Sequence, residues 1–315
     1  MNFLSKEIIV IVGYGWVGQA NALALLSMGY DVFYFDIQEP KLHYEKEHKK
    51  MYFKIKKLKS ILEKDSLNTW YLVCVGDQIG DDGEQNISAI KNALDSLESA
   101  KGGIILRSTV LPEKLNALNF HYYLPEFLHE KKAVEECLTP QYYIIGSNNK
   151  TDRQPSFLDL WERSATKSFH GTPEEASYLK YLSNIWNALR ITFVNEFGNM
   201  ISIPTDKEKL ANIEKIIDFF FERKSYLRYG RSYGGHCLPK DVHAFHAWYK
   251  KNNKEIPLIE SIHKSNLIHK VIEAENTHLP EWFSEWVRPQ VSGRAALRAL
   301  KASIVRNLKK PFQKF

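Results

Sequence analysis

A thiol on a glycine turn is the feature of the sequence that points most directly to chemistry. Residues 234–241 read Gly-Gly-His-Cys-Leu-Pro-Lys-Asp. Glycine lets the backbone approach a ligand closely, and proline is tolerated in the first turn of a helix. A helix that begins beside Cys237 would favour the thiolate, which is the nucleophilic form. Taken alone, the segment leaves two interpretations open, a catalytic nucleophile or an ordinary turn with an inert thiol.

A second candidate site lies near the amino terminus. Residues 8–12 form a short apolar, β-branched run, and residues 13–18 follow with the spacing G-x-G-x-x-G and lead into a helical pattern. A second predicted strand, 30–35, ends in Asp36, where a ribose-binding carboxylate is expected. This order predicts a dinucleotide site. Because the carboxylate would repel a 2′-phosphate, NAD is favoured over NADP.

The two sites together favour a four-electron oxidation. Conversion of an alcohol to an aldehyde needs only one hydride acceptor. Conversion of the aldehyde to an acid needs a tetrahedral adduct from which a second hydride can leave, and a cysteine thiolate supplies that adduct.

Several motifs extend this pattern along the chain. They are Gly13-x-Gly15-x-x-Gly18, Tyr-Leu-Val-Cys-Val-Gly at 71–76, Arg-Ser-Thr-Val at 107–110, Leu-Pro-Glu-Phe-Leu-His-Glu at 124–130, Lys-Tyr-Leu-Ser-Asn at 180–184, Phe-Val-Asn-Glu at 193–196 and the 234–241 segment. In this order they resemble the UDP-glucose/GDP-mannose dehydrogenase family over about residues 7–275. The resemblance implies NAD-dependent oxidation of a nucleotide-sugar to a uronic acid, for polysaccharide precursor synthesis.

The resemblance also implies which residues form the site. The catalytic candidates are Cys237, Lys180, Asn184, Asp241, Thr109, Glu126 and Glu130. The cofactor candidates are Gly13, Tyr14, Gly15, Trp16, Val17, Gly18, Asp36, Val75, Thr109 and Lys240. The substrate candidates are Phe127, Leu128, Tyr226, Tyr233 and Gly234, and no metal is expected.

Roles for these residues follow from the resemblance. A water held by Asp241 and Thr109 takes the hydroxyl proton, and Cys237 captures the aldehyde. Lys180 and Asn184 stabilise oxyanions, and the two glutamates help water to hydrolyse the thioester. The structural alternatives are turn and capping roles for Thr109 and the glutamates, and a surface pair for Lys180 and Asn184.

The predicted fold class is α/β. Residues 1–165 are expected to form a Rossmann-like, doubly wound parallel sheet that binds NAD, with a buried strand near 70–75 and Asn86 capping a covering helix. Residues 166–275 are expected to form a helical domain with long helices at 172–200, 207–222 and 256–274. The resemblance implies a homodimer through this helical domain.

Residues 276–315 are expected to form a basic amphipathic tail. Residues 287–315 carry eight Lys or Arg and no acid, which exceeds the formal net charge of +6 of the whole chain. This tail could bind a membrane surface or a protein partner, or pack on its own chain. Because the charge is confined to it, a nucleic-acid function is disfavoured. Family members instead continue with a third, nucleotide-binding domain, whose residues have no match here.

Composition bounds the remaining possibilities. The chain has 315 residues, of which 44% are hydrophobic and 25% charged, as is usual for a globular protein. It has no apolar run long enough for a signal peptide or membrane span, and three cysteines without metal spacing, so a cytoplasmic location, at most peripheral to a membrane, is expected. Two rival functions remain: a two-electron hydroxyacid-type dehydrogenase and a catalytically silent subunit or scaffold.

Overall fold

The structure, a computed structural model, describes residues 7–148, 153–204, 206–222, 226–235 and 237–275. The predicted basic tail, 276–315, therefore lies outside the described residues. The described residues divide into two compact units, one within residues 7–80 and 85–180 and the other within residues 81–84 and 181–275. This division falls within a long helix, later than the predicted boundary at residue 165, which stays a prediction.

The first unit is built on an eight-stranded sheet. Its strands are β1 (Ile8–Val12), β2 (Asp31–Phe35), β3 (Lys56–Lys57), β4 (Thr69–Val73), β7 (Gly103–Leu106), β8 (Tyr122–Tyr123), β9 (Tyr142–Ser147) and β10 (Lys167–Gly171), in the order β10-β9-β8-β7-β4-β1-β2-β3. A separate hairpin pairs β5 (Gln78–Ile79) with β6 (Gln85–Asn86). All neighbours in the large sheet are parallel except β8 and β9. The strand order reverses between β1 and β4, which marks the crevice where open α/β sheets bind ligands.

Helices cover both faces of this sheet. The helices of the first unit are α1 (Trp16–Ser27), α2 (Glu45–Tyr52), α3 (Ser88–Asp95), α4 (Pro112–Leu115), a 3₁₀ turn (Glu130–Lys132), α5 (Ala133–Leu138) and α6 (Ser156–Ser164). Alternate residues of β1 point to opposite sides: Ile9 and Ile11 pack in the core with α1, α5 and α6, whereas Val10 and Val12 pack with α3. The predicted Rossmann-like class is confirmed.

The second unit is helical. It contains the rest of α7 (Pro173–Ile201), which crosses the division, together with α8 (Lys207–Phe221), α9 (Leu238–Lys251) and α10 (Pro257–Glu275). Side chains of α7, α9 and α10 form one buried cluster, with Ala188, Ile191, Val242 and Ile262 at its centre. No helix in the described part of the chain is both long and apolar enough to cross a membrane.

Local sequence explains where two of these long helices begin. Thr172 Oγ1 accepts a hydrogen bond from the Glu175 amide at 3.2 Å, and Glu175 Oε2 accepts one from the Thr172 amide at 2.9 Å. This is a capping box, and Pro173 occupies the first turn of α7. At α8, Asp206 Oδ1 accepts from the Lys209 amide at 2.9 Å.

One predicted cap was placed a residue too early. Asn86 was predicted to cap α3, but α3 begins at Ser88 and its N-cap is Ile87. Asn86 lies at the end of β6, and its Oδ1 accepts from the Ser88 amide at 2.9 Å. The asparagine therefore supports the turn into the helix from the preceding strand.

Candidate active site

The three glycines of the first loop have different structural roles. Gly13 has φ +87°, and a Cβ on it would lie 3.0 Å from the backbone of Cys74. A Cβ on Gly18 would overlap the carbonyl oxygen of Gly13, so Gly18 is required for close packing of α1 on β1. A Cβ on Gly15 would meet nothing within 4 Å. Gly15 therefore leaves open space where the backbone can face a phosphate at the start of α1.

This difference gives a testable separation of folding from binding. Gly15→Ala is expected to lower the free energy of unfolding by no more than about 1 kcal/mol, because the added methyl group meets no atom and the remaining cost is that of alanine at an N-cap. It is also expected to weaken NAD binding at least about ten-fold by occupying the ligand side of the loop. Gly18→Ala, in contrast, should destabilise the fold by about 1–3 kcal/mol through overpacking.

Denaturant unfolding and NAD titration of both purified variants measure these effects. Unchanged NAD affinity in Gly15→Ala would contradict the assignment of the loop to the dinucleotide.

Asp36 ties the glycine loop to the end of β2. Its Oδ2 accepts from the Tyr14 amide at 2.6 Å, and its Oδ1 accepts from the Gln38 amide at 2.8 Å. These bonds fix the orientation of the carboxylate at the carboxyl edge of the sheet. The geometry fits a ribose-binding acid that also stiffens the loop.

The remaining cofactor candidates of this loop divide between core and surface. Tyr14 is buried, its ring stacks on Tyr34 with centroids 3.8 Å apart, and burial raises the pKa of its hydroxyl. Trp16 is half-buried and stacks on His43 at 3.9 Å. Val17 contributes its carbonyl to Asn21 within α1. The Tyr14 side chain therefore packs in the core beneath the glycine loop, and only its backbone lies beside the glycines.

Lys180 and Glu126 form a buried ion pair in the first unit. Lys180 Nζ donates to the Glu126 carbonyl oxygen at 2.6 Å and lies 3.3 Å from Glu126 Oε1. Lys180 is 3% exposed and Glu126 is 8% exposed. Burial acts to raise the pKa of Glu126, but Lys180, the Leu128 amide and Arg107 together hold that pKa below its usual range. The surface-pair alternative for Lys180 does not describe this geometry.

The substrate candidates Phe127 and Leu128 lie on the segment that Glu126 begins. The Leu128 amide donates to Glu126 Oε2 at 2.8 Å, which bends the backbone back toward the carboxylate. Lys180 Nζ lies 5.2 Å from the centre of the Phe127 ring, a cation–π distance. Lys180 thus contacts both Glu126 and the Phe127 ring of this segment.

The other candidates of the first unit lie at strand ends. Thr109 follows β7, is half-buried, and its carbonyl accepts from Gln85 Nε2 at 3.1 Å. Gln85 Nε2 also donates to Asp77 Oδ2 at 2.6 Å. Val75 follows β4 beside Gly13. Glu130 begins the 3₁₀ turn, and its side chain lies outside the described part of the structure.

In the second unit, Asn184, Lys240 and Asp241 form one network. Asn184 Nδ2 donates to Asp241 Oδ2 at 2.5 Å, and Lys240 Nζ donates to Asp241 Oδ1 at 2.7 Å. Asp241 is 1% exposed. Because the lysine and the amide bind different oxygens, the buried carboxylate is held in one orientation.

Cys237 is the N-cap of α9, one turn before Asp241. The Asp241 amide donates to the Cys237 carbonyl at 2.8 Å, whereas the Cys237 side chain is exposed and makes no capping bond. The predicted helix start beside the thiol is present. In the preceding glycine pair, Gly235 has φ +88°, while a Cβ on Gly234 would enter open space. Conformation therefore requires Gly235, and Gly234 leaves room beside the thiol.

Sequence reasoning gave no role to two buried asparagines, Asn195 of the 193–196 motif and Asn266, that bind the segment before this loop. Asn195 Nδ2 donates to the Arg231 carbonyl at 2.5 Å, and its Oδ1 accepts from the Gly230 amide at 2.9 Å. Asn266 does the same for Tyr233, with distances of 2.8 and 3.0 Å. Each amide side chain satisfies backbone groups as a neighbouring strand would. A buried Asn within an apolar helical pattern was the available signal.

Two substrate candidates in this segment lie within the core of the second unit or beside it. The Tyr233 ring is fully buried in the cluster of α7, α9 and α10. A substrate contact by its side chain would require this cluster to open. Tyr226 has φ +63°, a left-handed conformation, and the Arg190 guanidinium lies 5.3 Å from the centre of its ring.

The other two cysteines differ from Cys237. Cys137 is buried, Cys74 is half-buried, and burial raises the pKa of each to about 12. Both therefore stay protonated and unreactive at neutral pH. Within the described residues, no group of three His, Cys, Asp or Glu side chains has a metal-binding arrangement.

Comparison with known families places both units. The NAD-binding domain model of the UDP-glucose/GDP-mannose dehydrogenase family matches residues 7–162, and the central domain model of this family matches residues 174–267. The chain belongs to the UDP-glucose/GDP-mannose dehydrogenase family. Membership in this nucleotide-sugar dehydrogenase family agrees with the glycine loop and the cysteine helix described above.

Individual family members are similar at modest identity. A GDP-mannose 6-dehydrogenase of Pseudomonas savastanoi pv. phaseolicola is 25% identical over 299 residues, which cover 82% of this chain and 67% of that protein. A UDP-glucose 6-dehydrogenase of Rickettsia bellii is 28% identical over 300 residues, covering 82% and 66%. The match thus spans about two-thirds of the length of these relatives.

Solved structures share the fold. A UDP-glucose dehydrogenase from Pyrobaculum islandicum superimposes with a TM-score of 0.70 at 21% identity and covers 87% of this chain and 71% of its own. A GDP-mannose dehydrogenase from Pseudomonas aeruginosa gives a TM-score of 0.56 at 22% identity and covers 95% and 79%.

Proposed function

We propose that this protein oxidises the primary alcohol of a nucleotide-sugar to a uronic acid, with two NAD as electron acceptors and Cys237 as covalent nucleophile. The observation that carries the proposal is an exposed thiol at the start of α9, one turn before a buried, oriented carboxylate, Asp241. A helix N-terminus stabilises a thiolate, and its exposure leaves the sulfur accessible. Neither property holds for Cys74 or Cys137.

In the first step, the alcohol loses a hydride and a proton. The glycine loop and Asp36 would hold NAD, which would supply the hydride acceptor, and a water positioned by Asp241 and Thr109 takes the hydroxyl proton. The sulfur of Cys237 then adds to the aldehyde carbon and gives a thiohemiacetal. The aldehyde is therefore never released.

In the second step, the thiohemiacetal loses its hydroxyl proton and a second hydride, for which another NAD would be the acceptor, and becomes a thioester. Water cleaves the carbon–sulfur bond, with help from Glu126 or Glu130, and regenerates the thiol. Lys180 and Asn184 stabilise the oxyanions that form on the substrate oxygen. Hydrogen bonds to fixed partners hold both side chains in place before reaction.

Counting reduced cofactor per product tests this proposal. Purified protein is incubated with NAD and either UDP-glucose or GDP-mannose, and NADH absorbance is compared with the acid formed. Two NADH per acid are expected. A ratio of one NADH per oxidised product would support a two-electron dehydrogenase, and no NADH despite intact NAD binding would support a silent subunit.

The same proposal includes a homodimer formed through the helical unit. Large apolar side chains recur along one face of α7 and stay exposed; they are Leu182, Trp186, Phe193, Phe197 and Met200. A continuous exposed apolar stripe of this kind usually marks a protein interface. Light scattering of the full chain should give twice the mass of one chain, and Phe193→Glu should shift the mass to that of the monomer.

A further inference from the structure

A small cavity in the first unit lies on the side of the sheet that α5 and α6 cover. Its volume is about 40 Å³, and its lining includes Arg107, Phe127, Glu136, Cys137 and Trp161. A site of roughly 10–15 Å³ holds one water molecule, so this cavity has room for a group of several heavy atoms. None of the roles proposed above uses Arg107 or Trp161.

Arg107 lines this cavity, and its charge also acts on the buried Glu126 carboxylate, whose pKa it helps to lower. The residue is 6% exposed, and its Nε has no hydrogen-bond partner. Within the part of the chain that the structure describes, no carboxylate forms an ion pair with it. Its guanidinium instead lies 5.3 Å from the centre of the Trp161 ring. A buried N–H without an acceptor is costly, so a partner for Arg107 Nε is expected.

Trp161, beside Arg107, also lacks a hydrogen-bond acceptor. Trp161 is 3% exposed, and its indole Nε1 is also buried without a partner. Arginine and tryptophan side chains have donors and no acceptors. Both residues line the cavity, and their two unpartnered donors call for an acceptor, for which the guanidinium charge favours an anion.

The nearby carboxylates are already engaged. Glu136 Oε2 accepts from the His129 amide at 2.6 Å, and its Oε1 lies 2.8 Å from His129 Nδ1. The hydrogen bond to Glu136 raises the pKa of His129. Glu126 binds Lys180 and the Leu128 amide. Neither acid accepts a hydrogen bond from Arg107 Nε or Trp161 Nε1.

We propose that this cavity binds a small oxyanion, a carboxylate or a phosphate, through Arg107 and Trp161. Arg107 Nε and a second guanidinium N–H donate to the anion, and Trp161 Nε1 donates to another of its oxygens. Phe127 lines the same cavity and lies against Lys180. An anion bound here therefore contacts the segment of Glu126, Phe127 and Leu128.

The indole N–H of Trp161 is a direct reporter of this site. Full-length protein labelled with ¹⁵N is titrated with sodium phosphate, and separately with sodium acetate, against sodium chloride at equal ionic strength. Trp161→Phe identifies the signal. A saturable shift of this signal with phosphate or acetate is expected, and the salt that produces it tells which oxyanion fits. A signal that responds to neither salt, or equally to chloride, would overturn the proposal.

Matched arginine variants locate the binding. Arg107→Met is expected to abolish the shift, because it keeps the length of the side chain and removes all donors. Arg153→Met is the control: Arg153 is exposed and lies 5.7 Å from the Trp70 ring, so the same chemistry is removed outside the cavity. Equal loss in both variants would overturn the proposal.

A second variant, Arg107→Lys, keeps the proposal testable if Arg107→Met does not fold. If thermal unfolding shows that Arg107→Met is not folded, Arg107→Lys keeps the charge but loses the guanidinium fork. It is expected to bind at least about ten-fold more weakly than the wild type, since lysine cannot donate from the Nε position. Unchanged affinity in Arg107→Lys would reject Arg107 Nε as the donor.

Discussion

Cys237→Ser is expected to abolish acid formation, by about a thousand-fold or more, while NAD binding stays unchanged. The loss follows because a serine hydroxyl at neutral pH, without a base built to activate it, does not add to the aldehyde as a thiolate does. The fold should be unaffected. Cys237 is an exposed N-cap without a side-chain capping bond, and serine is a preferred residue at this position.

Two measurements on the Cys237→Ser variant test this prediction. Single-turnover assays with NAD and a nucleotide-sugar follow NADH and acid, and a separate titration follows NAD affinity. A serine variant that forms acid at the wild-type rate would eliminate covalent catalysis by sulfur. Alkylation at neutral pH should also modify Cys237 in the wild type before Cys74 or Cys137, since burial raises the pKa of both to about 12.

Lys180→Met is expected to cost about 3–5 kcal/mol of unfolding free energy. The substitution keeps the apolar part of the side chain but leaves the Glu126 carboxylate buried without its cation. Glu126→Gln in the same background should recover a large part of the loss, because it removes the uncompensated charge. Denaturant unfolding of the two single variants and the double variant gives the coupling free energy.

Two controls accompany this cycle. Lys57→Met breaks the Lys57–Glu39 pair, in which Glu39 is 85% exposed, and should leave stability unchanged. The wild-type contribution of Glu126 should be complete above the ordinary Glu pKa of 4.5 and lost as pH falls through the lower folded value. A Lys180→Met variant as stable as the wild type would show that Glu126 is solvated.

Several structural features could be predicted from short stretches of sequence. The Gly13, Gly15 and Gly18 spacing and the Thr172 capping box each depend on residues that lie within a few positions of each other. Their conformations follow from local sterics and hydrogen bonding, so the sequence pattern is sufficient. Asn86 shows the limit of such patterns, because a strand that ends at this residue displaced its predicted capping role by one position.

The sequence by itself determined the Rossmann-like class, the family motifs and the helix start at Cys237, because local propensity and spacing encode these. Only the tertiary structure decided that Glu126 is the buried partner of Lys180, that Asn195 and Asn266 hold the approach to the cysteine loop, and that Arg107 meets Trp161 at a cavity. These pairs join residues more than thirty positions apart. Burial strengthens their interactions, and which residues share a buried space is set by chain packing rather than by any local pattern.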